Sequence, residues 1–70
     1  MLNSHRLDEY GDILTPKDVR DILGIGYNTT YRLLKTGAIK NFKIGRDRKI
    51  PKRCLQEFID AMIETSAMDT

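Results

Sequence analysis

VRDILGIGYNTTYRLLKTG, Val19 to Gly37, holds two short helical patterns separated by Gly24-Ile25-Gly26. A tripeptide with two glycines can only reverse the chain, so the stretch reads as a helix, a tight turn and a second helix. The second pattern, Tyr27 to Thr36, has two unlike faces. Thr30, Leu33 and Leu34 fall together at helical spacing and make a core face. Asn28, Tyr31, Arg32 and Lys35 fall on the other side, and each can donate a hydrogen bond. A charged helix face is ordinarily just solvated. A phenol, an amide, a guanidinium and an ammonium pointing one way also suit the major groove of a duplex, so the rest of the chain has to decide.

The charge layout decides for a polyanion. The 70 residues carry a formal net charge of only +2. Yet Tyr27 to Arg53 holds nine basic residues and one acid, Asp47, while residues 1–26 hold three basic and five acidic residues. Residues 54–70 hold four acids, Glu57, Asp60, Glu64 and Asp69, and no base. Basic charge confined to the middle of a chain with acidic ends is the pattern of a polyanion-binding face. Mixed signs would serve solubility alone.

Size and composition exclude much else. A chain this short makes one domain, burying about 60% of its unfolded surface. That leaves no room for both a core and an enzyme cleft. His5 is the single histidine and Cys54 the single cysteine. They give no disulfide, no metal set and no nucleophile–base pair, so no catalytic residue, metal or cofactor is expected. No apolar run approaches the ~20 residues that span a bilayer, and a free thiol without a leader fits a cytoplasmic protein.

Around the central stretch the order is regular. Residues 1–12 read as a mobile arm from which Tyr10 can pack on the body. Ile13-Leu14 is a short apolar lead-in. Thr15-Pro16-Lys17-Asp18 is a helix start: Thr15 as N-cap, Pro16 at the first helical position, Asp18 at the positive end of the dipole. Leu14 can staple to Val19, and Val19, Ile22 and Leu23 form the apolar stripe up to Gly24. Gly26 is the N-cap of the second helix, the Thr30 hydroxyl can bond back to the carbonyl four residues earlier, and Gly37 takes the left-handed position after the helix. Phe42 and Ile44 alternate with Lys43 as in a strand, Gly45-Arg46-Asp47 reads as a hairpin turn, and Arg48-Lys49-Ile50 returns until Pro51. A two-stranded ribbon must lie on the helices, with Phe42, Ile44 and Ile50 toward the core and Arg46 and Arg48 displayed at the tip. From Lys52 to about Ser66, Leu55, Phe58, Ile59, Met62 and Ile63 predict a closing helix, with a frayed tail over 67–70. Lys52 and Arg53 oppose its dipole, which a docked phosphate would reconcile.

The predicted fold is mostly α with a small β-hairpin, a winged helix-turn-helix over residues 13–66. The run ILTPKDVRDILGIGYNTTYRLLKTGAIKNFKIGRDRKIPKRCLQEFI resembles the excisionase-type DNA-binding domains of phages and conjugative elements, which share their fold with the DNA-binding heads of mercury-resistance regulators. Leu14-Thr15, Val19, Leu23-Gly24-Ile25, Tyr31-Arg32-Leu33, Gly37, Ile44-Gly45-Arg46 and Arg48-Lys49-Ile50-Pro51 carry the likeness through their joint order and spacing. The chain departs from that pattern at Arg20, where a small residue is usual, and at Gly26, Tyr27, Thr30 and Arg48.

The resemblance implies a second helix in the major groove and a wing along the backbone or minor groove. Tyr27, Asn28, Thr29, Tyr31 and Arg32 are then candidates for base or nearby phosphate contacts. Lys35, Lys43, Arg46, Arg48, Lys49 and Lys52 are candidates for phosphate or minor-groove contacts. It further implies an accessory factor of site-specific recombination that binds double-stranded DNA as cooperative copies, bends it and assists a tyrosine recombinase. A small transcriptional regulator of the same fold is the alternative, and a protein-binding winged helix would instead show an apolar surface patch.

Overall fold

Thr15 starts the first helix as its sequence predicts. In the computed structural model, which describes residues 9–69 and side chains as far as residue 66, helix α1 runs Pro16–Leu23 behind a complete capping box. The Asp18 N–H donates to Thr15 Oγ1 at 3.1 Å, and the Thr15 N–H donates to Asp18 Oδ2 at 3.1 Å. Two of the orphan donors of the first turn are thereby satisfied. Gly24 stops the helix at φ 66°, a left-handed conformation that glycine adopts without a Cβ clash. Helix α2, Tyr27–Lys35, begins at Gly26, whose cap contributes no side-chain bond. The Thr30 hydroxyl donates to the Gly26 carbonyl at 2.8 Å, so a hydroxyl that is 1% exposed is nonetheless satisfied.

Three strands follow the order β1-β3-β2. They are β1 (Ile13–Leu14), β2 (Phe42–Ile44) and β3 (Asp47–Pro51). The two-stranded ribbon of the sequence reading is therefore corrected to a three-stranded sheet. Ile13-Leu14 is its third strand, antiparallel to β3 with Leu14 opposite Ile50. The closing helix α3, Lys52–Asp69, continues directly from β3. No helix among the described residues is long and apolar enough to cross a membrane.

The core is Leu14, Val19, Leu34, Ile39, Ile50 and Leu55, with Tyr10, Ile22, Leu23, Leu33, Phe58 and Ile59 packed against it. Phe42 and Ile44, expected inside, are 45% and 63% exposed. The hairpin turn explains the error. A three-residue turn over Gly45-Arg46-Asp47 would have set Phe42 opposite Ile50. The actual turn is Gly45-Arg46, with Ile44 opposite Asp47 and Phe42 opposite Lys49. A shift of one residue moves a strand's whole apolar set to the other face. Phe42 and Ile44 thus lie with Ile13 and Pro51 on the outer face of the sheet, while Ile50 lies on the inner one.

Met62 and Ile63 are a second correction: they are 49% and 61% exposed. The 18 residues of α3 extend about 27 Å at 1.5 Å per residue, well past the small sheet that Leu55 packs on. Its apolar stripe is longer than the surface available to cover it. Of the arm expected over residues 1–12, His5 and the rest of residues 1–8 lie outside the described residues. Tyr10 packs on the core cluster. The α3 backbone enters the tail expected over 67–70; side chains from 67 onward, and Thr70, lie outside the described residues.

Candidate nucleic-acid interface

Burying Thr30 and Leu34 turns the opposite side of α2 outward. Asn28, Arg32 and Lys35 are exposed there, three and four residues apart, and so form one row. None of the three side chains has a hydrogen-bond or ion-pair partner among the described residues. Thr29 is half-buried on one flank of the row. Tyr27 and Tyr31 occupy the other, with ring centroids 4.7 Å apart and planes tilted by 52°. Tyr27 is 60% exposed, whereas Tyr31 is half-buried rather than fully on the outer row. Hydrogen bonding with Tyr27 holds the Tyr31 phenol above its ordinary pKa.

The wing is the β2–β3 hairpin. Gly45 at φ 63° occupies the first turn position, where the backbone twist of a two-residue hairpin needs a positive φ. Arg46 follows at the exposed tip. Lys43 and Arg48 are direct cross-strand partners on the inner face, an unfavourable like-charge pair when taken alone. The Arg48 guanidinium is half-buried, not displayed freely as its position near the tip suggested. It donates from one terminal nitrogen to Asn41 Oδ1 at 2.9 Å. The Asn41 amide nitrogen in turn donates to the Leu34 carbonyl at 2.9 Å and the Ile39 carbonyl at 2.7 Å. Asn41 therefore ties the C-terminal end of α2 to a cation of the wing.

Asn41 is absent from the sequence reading because two of its three partners, Leu34 and Arg48, lie seven residues away on either side. Asn41→Ala removes three hydrogen bonds and leaves the carbonyls and the guanidinium in search of water. It should lower stability by about 1–2 kcal/mol, read as an earlier midpoint in urea denaturation at unchanged slope.

A groove along β3 is lined by Thr15, Pro16, Tyr31, Arg46, Asp47, Arg48 and Lys49, joining the Tyr31 flank of α2 to the wing. The structure thus brings Tyr27, Asn28, Thr29, Tyr31, Arg32 and Lys35 together on one helix, with Lys43, Arg46, Arg48 and Lys49 on the adjoining hairpin. Lys52 is placed differently. Its backbone N–H donates to the Asp12 carbonyl at 2.8 Å and its Nζ to the Tyr10 carbonyl at 3.0 Å. Both bonds tie the start of α3 to the N-terminal segment.

Comparison with known proteins gives the same architecture a family. Residues 13–62 match the model of a family described as a helix-turn-helix domain. The chain belongs to that family. It also matches a "Probable excisionase" of Saccharopolyspora erythraea at 33% identity over 51 residues. The alignment covers 73% of this chain and 52% of that protein, so the chain spans about half the length of the relative. No solved structure matches the chain. The domain is accordingly an excisionase-like winged helix-turn-helix of a DNA-binding class, as the order of its motifs implied.

Proposed function

We propose that this domain binds double-stranded DNA beside a recombination site, bends it, and assists a tyrosine recombinase in excision, making no bond itself. The observation that carries the reading is the unpaired donor row Asn28, Arg32 and Lys35, continued by the cations of the wing. Helix α2 lies in the major groove, where Asn28 suits adenine and Arg32 suits guanine by bidentate hydrogen bonds. Tyr27, Thr29 and Tyr31 contact the flanking bases or phosphates. Lys35, Lys43, Arg46, Arg48 and Lys49 contact the backbone or the minor groove. Lys52, whose Nζ also donates to the Tyr10 carbonyl, adds a further cation at the start of α3.

Single modules bury only ~600–1,000 Å² of protein surface on DNA, too little to select one genomic site alone. Specificity then comes from copies bound cooperatively on adjacent repeats. Two features support such contacts. Glu57, Asp60 and Glu64 are exposed on α3, away from the basic middle of the chain. Ile13, Phe42 and Ile44 on the sheet and Met62 and Ile63 on α3 are apolar side chains with no cover. The name of the excisionase relative supports the recombination role.

The test mixes the protein, the recombinase of its own element and a plasmid carrying the two joined ends of that element. Excision that depends on the protein is expected. Excision that proceeds equally without it, together with a nearby promoter whose output changes when the protein is removed, would make it a transcriptional regulator instead.

A further inference from the structure

Arg20 stands where the resembling family has a small residue, on the side of α1 that faces α2. A long side chain there must either wedge the two helices apart or run along the groove between them. Arg20 is half-buried and lines a trough of about 290 Å³ together with Thr15, Pro16, Lys17, Tyr27, Thr30 and Tyr31. Its backbone is fixed, since its carbonyl accepts the Gly24 N–H at 2.8 Å and the Ile25 N–H at 3.3 Å where α1 ends. The stem can therefore cover apolar surface while the head stays at the rim.

The head has no partner. Asp18 is engaged with the Thr15 N–H, and Asp21 holds Lys17 Nζ at 2.9 Å. Both carboxylates of α1 thus face other groups, and the Arg20 guanidinium makes no ion pair or hydrogen bond among the described residues. This trough shares Thr15, Pro16 and Tyr31 with the groove that leads to Arg46 and Arg48. The two adjoin along these residues, with Arg20 lining the first and Arg46, Asp47 and Arg48 the second. An extended polyanion lying beside α2 would meet cations from both.

We infer that Arg20 is a phosphate contact supplied by the first helix, gripping the DNA backbone beside the Tyr27 and Tyr31 flank of α2. The inference rests on the DNA-binding reading above. It adds a residue outside the second helix and the wing.

The experiment compares the full chain with Arg20→Ala and Arg20→Lys on one preferred and one random duplex across a salt series. Arg20→Ala removes the stem that covers the helix pair and should lower the melting temperature only slightly. It should weaken both duplexes in the same proportion and make the slope of log K against log salt shallower by about 0.9, the value of one phosphate. Arg20→Lys, which keeps the charge, should keep most of the slope. An Arg20→Ala slope equal to that of the unsubstituted chain overturns the inference and leaves DNA binding intact. So does a lower melting temperature with an unchanged slope, which would make Arg20 a packing residue only. Absence of binding by the unsubstituted chain at every salt removes the underlying reading as well.

Discussion

Raising the salt from 50 to 200 mM should weaken binding to duplex DNA by about 10²–10³-fold. Of the nine basic residues between Tyr27 and Arg53, Arg48 is held by Asn41 and Lys52 by Tyr10. Arg32, Lys35, Lys43, Arg46 and Lys49 have no acidic partner among the described residues. If four or five cations meet phosphate, each releasing about 0.9 of a condensed counterion, the slope of log K against log salt is roughly −4. A fourfold rise in salt raised to that power gives the stated loss. Screening of a few surface ion pairs within the protein could not mimic it, since such pairs contribute only ~0–1 kcal/mol and the fold would barely respond. Fluorescence anisotropy with a labelled duplex measures the slope. A flat titration, or no association with any duplex at the lowest salt, removes the nucleic-acid reading.

What could be read from sequence is what is local. The Thr15 cap, the left-handed Gly37 and the Thr30 back-bond each involve residues within four positions of one another, and all stand in the structure. The outward row of α2 is equally local, because helical spacing alone puts Asn28, Arg32 and Lys35 opposite Thr30 and Leu34. The sheet is not local. Ile13 pairs with Pro51, and nothing in a two-residue apolar stretch announces a partner so distant along the chain. The hairpin depended on a single residue: assigning Asp47 to the turn rather than to the strand reverses the facing of Phe42 and Ile44.

Ile39 is fully buried, yet it is a lone apolar residue between α2 and β2 with no period to reveal it. Met62 and Ile63 show the opposite failure, in which a clean helical period continues beyond the surface that could bury it. The site divides the same way. Its helix was legible, but Asn41, which fixes the wing, and Arg20, which enters through the packing of two helices, depend on contacts that only the fold creates. Positions where a local rule is broken, such as an arginine between packed helices, are where structure had most to add.

Arg32→Ala and Arg46→Ala should fail in different ways, and that difference tests the assignment of reading to α2 and holding to the wing. Both side chains are exposed, so neither loss should shift the melting temperature much. Arg32 sits in the middle of the outward row, between Asn28 and Lys35, where a guanidinium can present two parallel donors to guanine O6 and N7. Removing it should lose about 1–3 kcal/mol on the preferred site, roughly 5- to 150-fold in affinity, and much less on random duplex. The preference itself should blur at one base pair. Arg46 sits at the hairpin tip beside Gly45 and meets the backbone, which is alike in every sequence. Its loss should weaken preferred and random duplex alike and make the salt slope shallower by about one. Affinities of both variants on both duplexes over the same salt series separate the two outcomes. If Arg32→Ala lowers binding to random and preferred DNA in equal proportion, α2 is not the reading element. If Arg46→Ala instead changes which base pair is preferred, the wing reads sequence in the minor groove rather than simply holding the backbone.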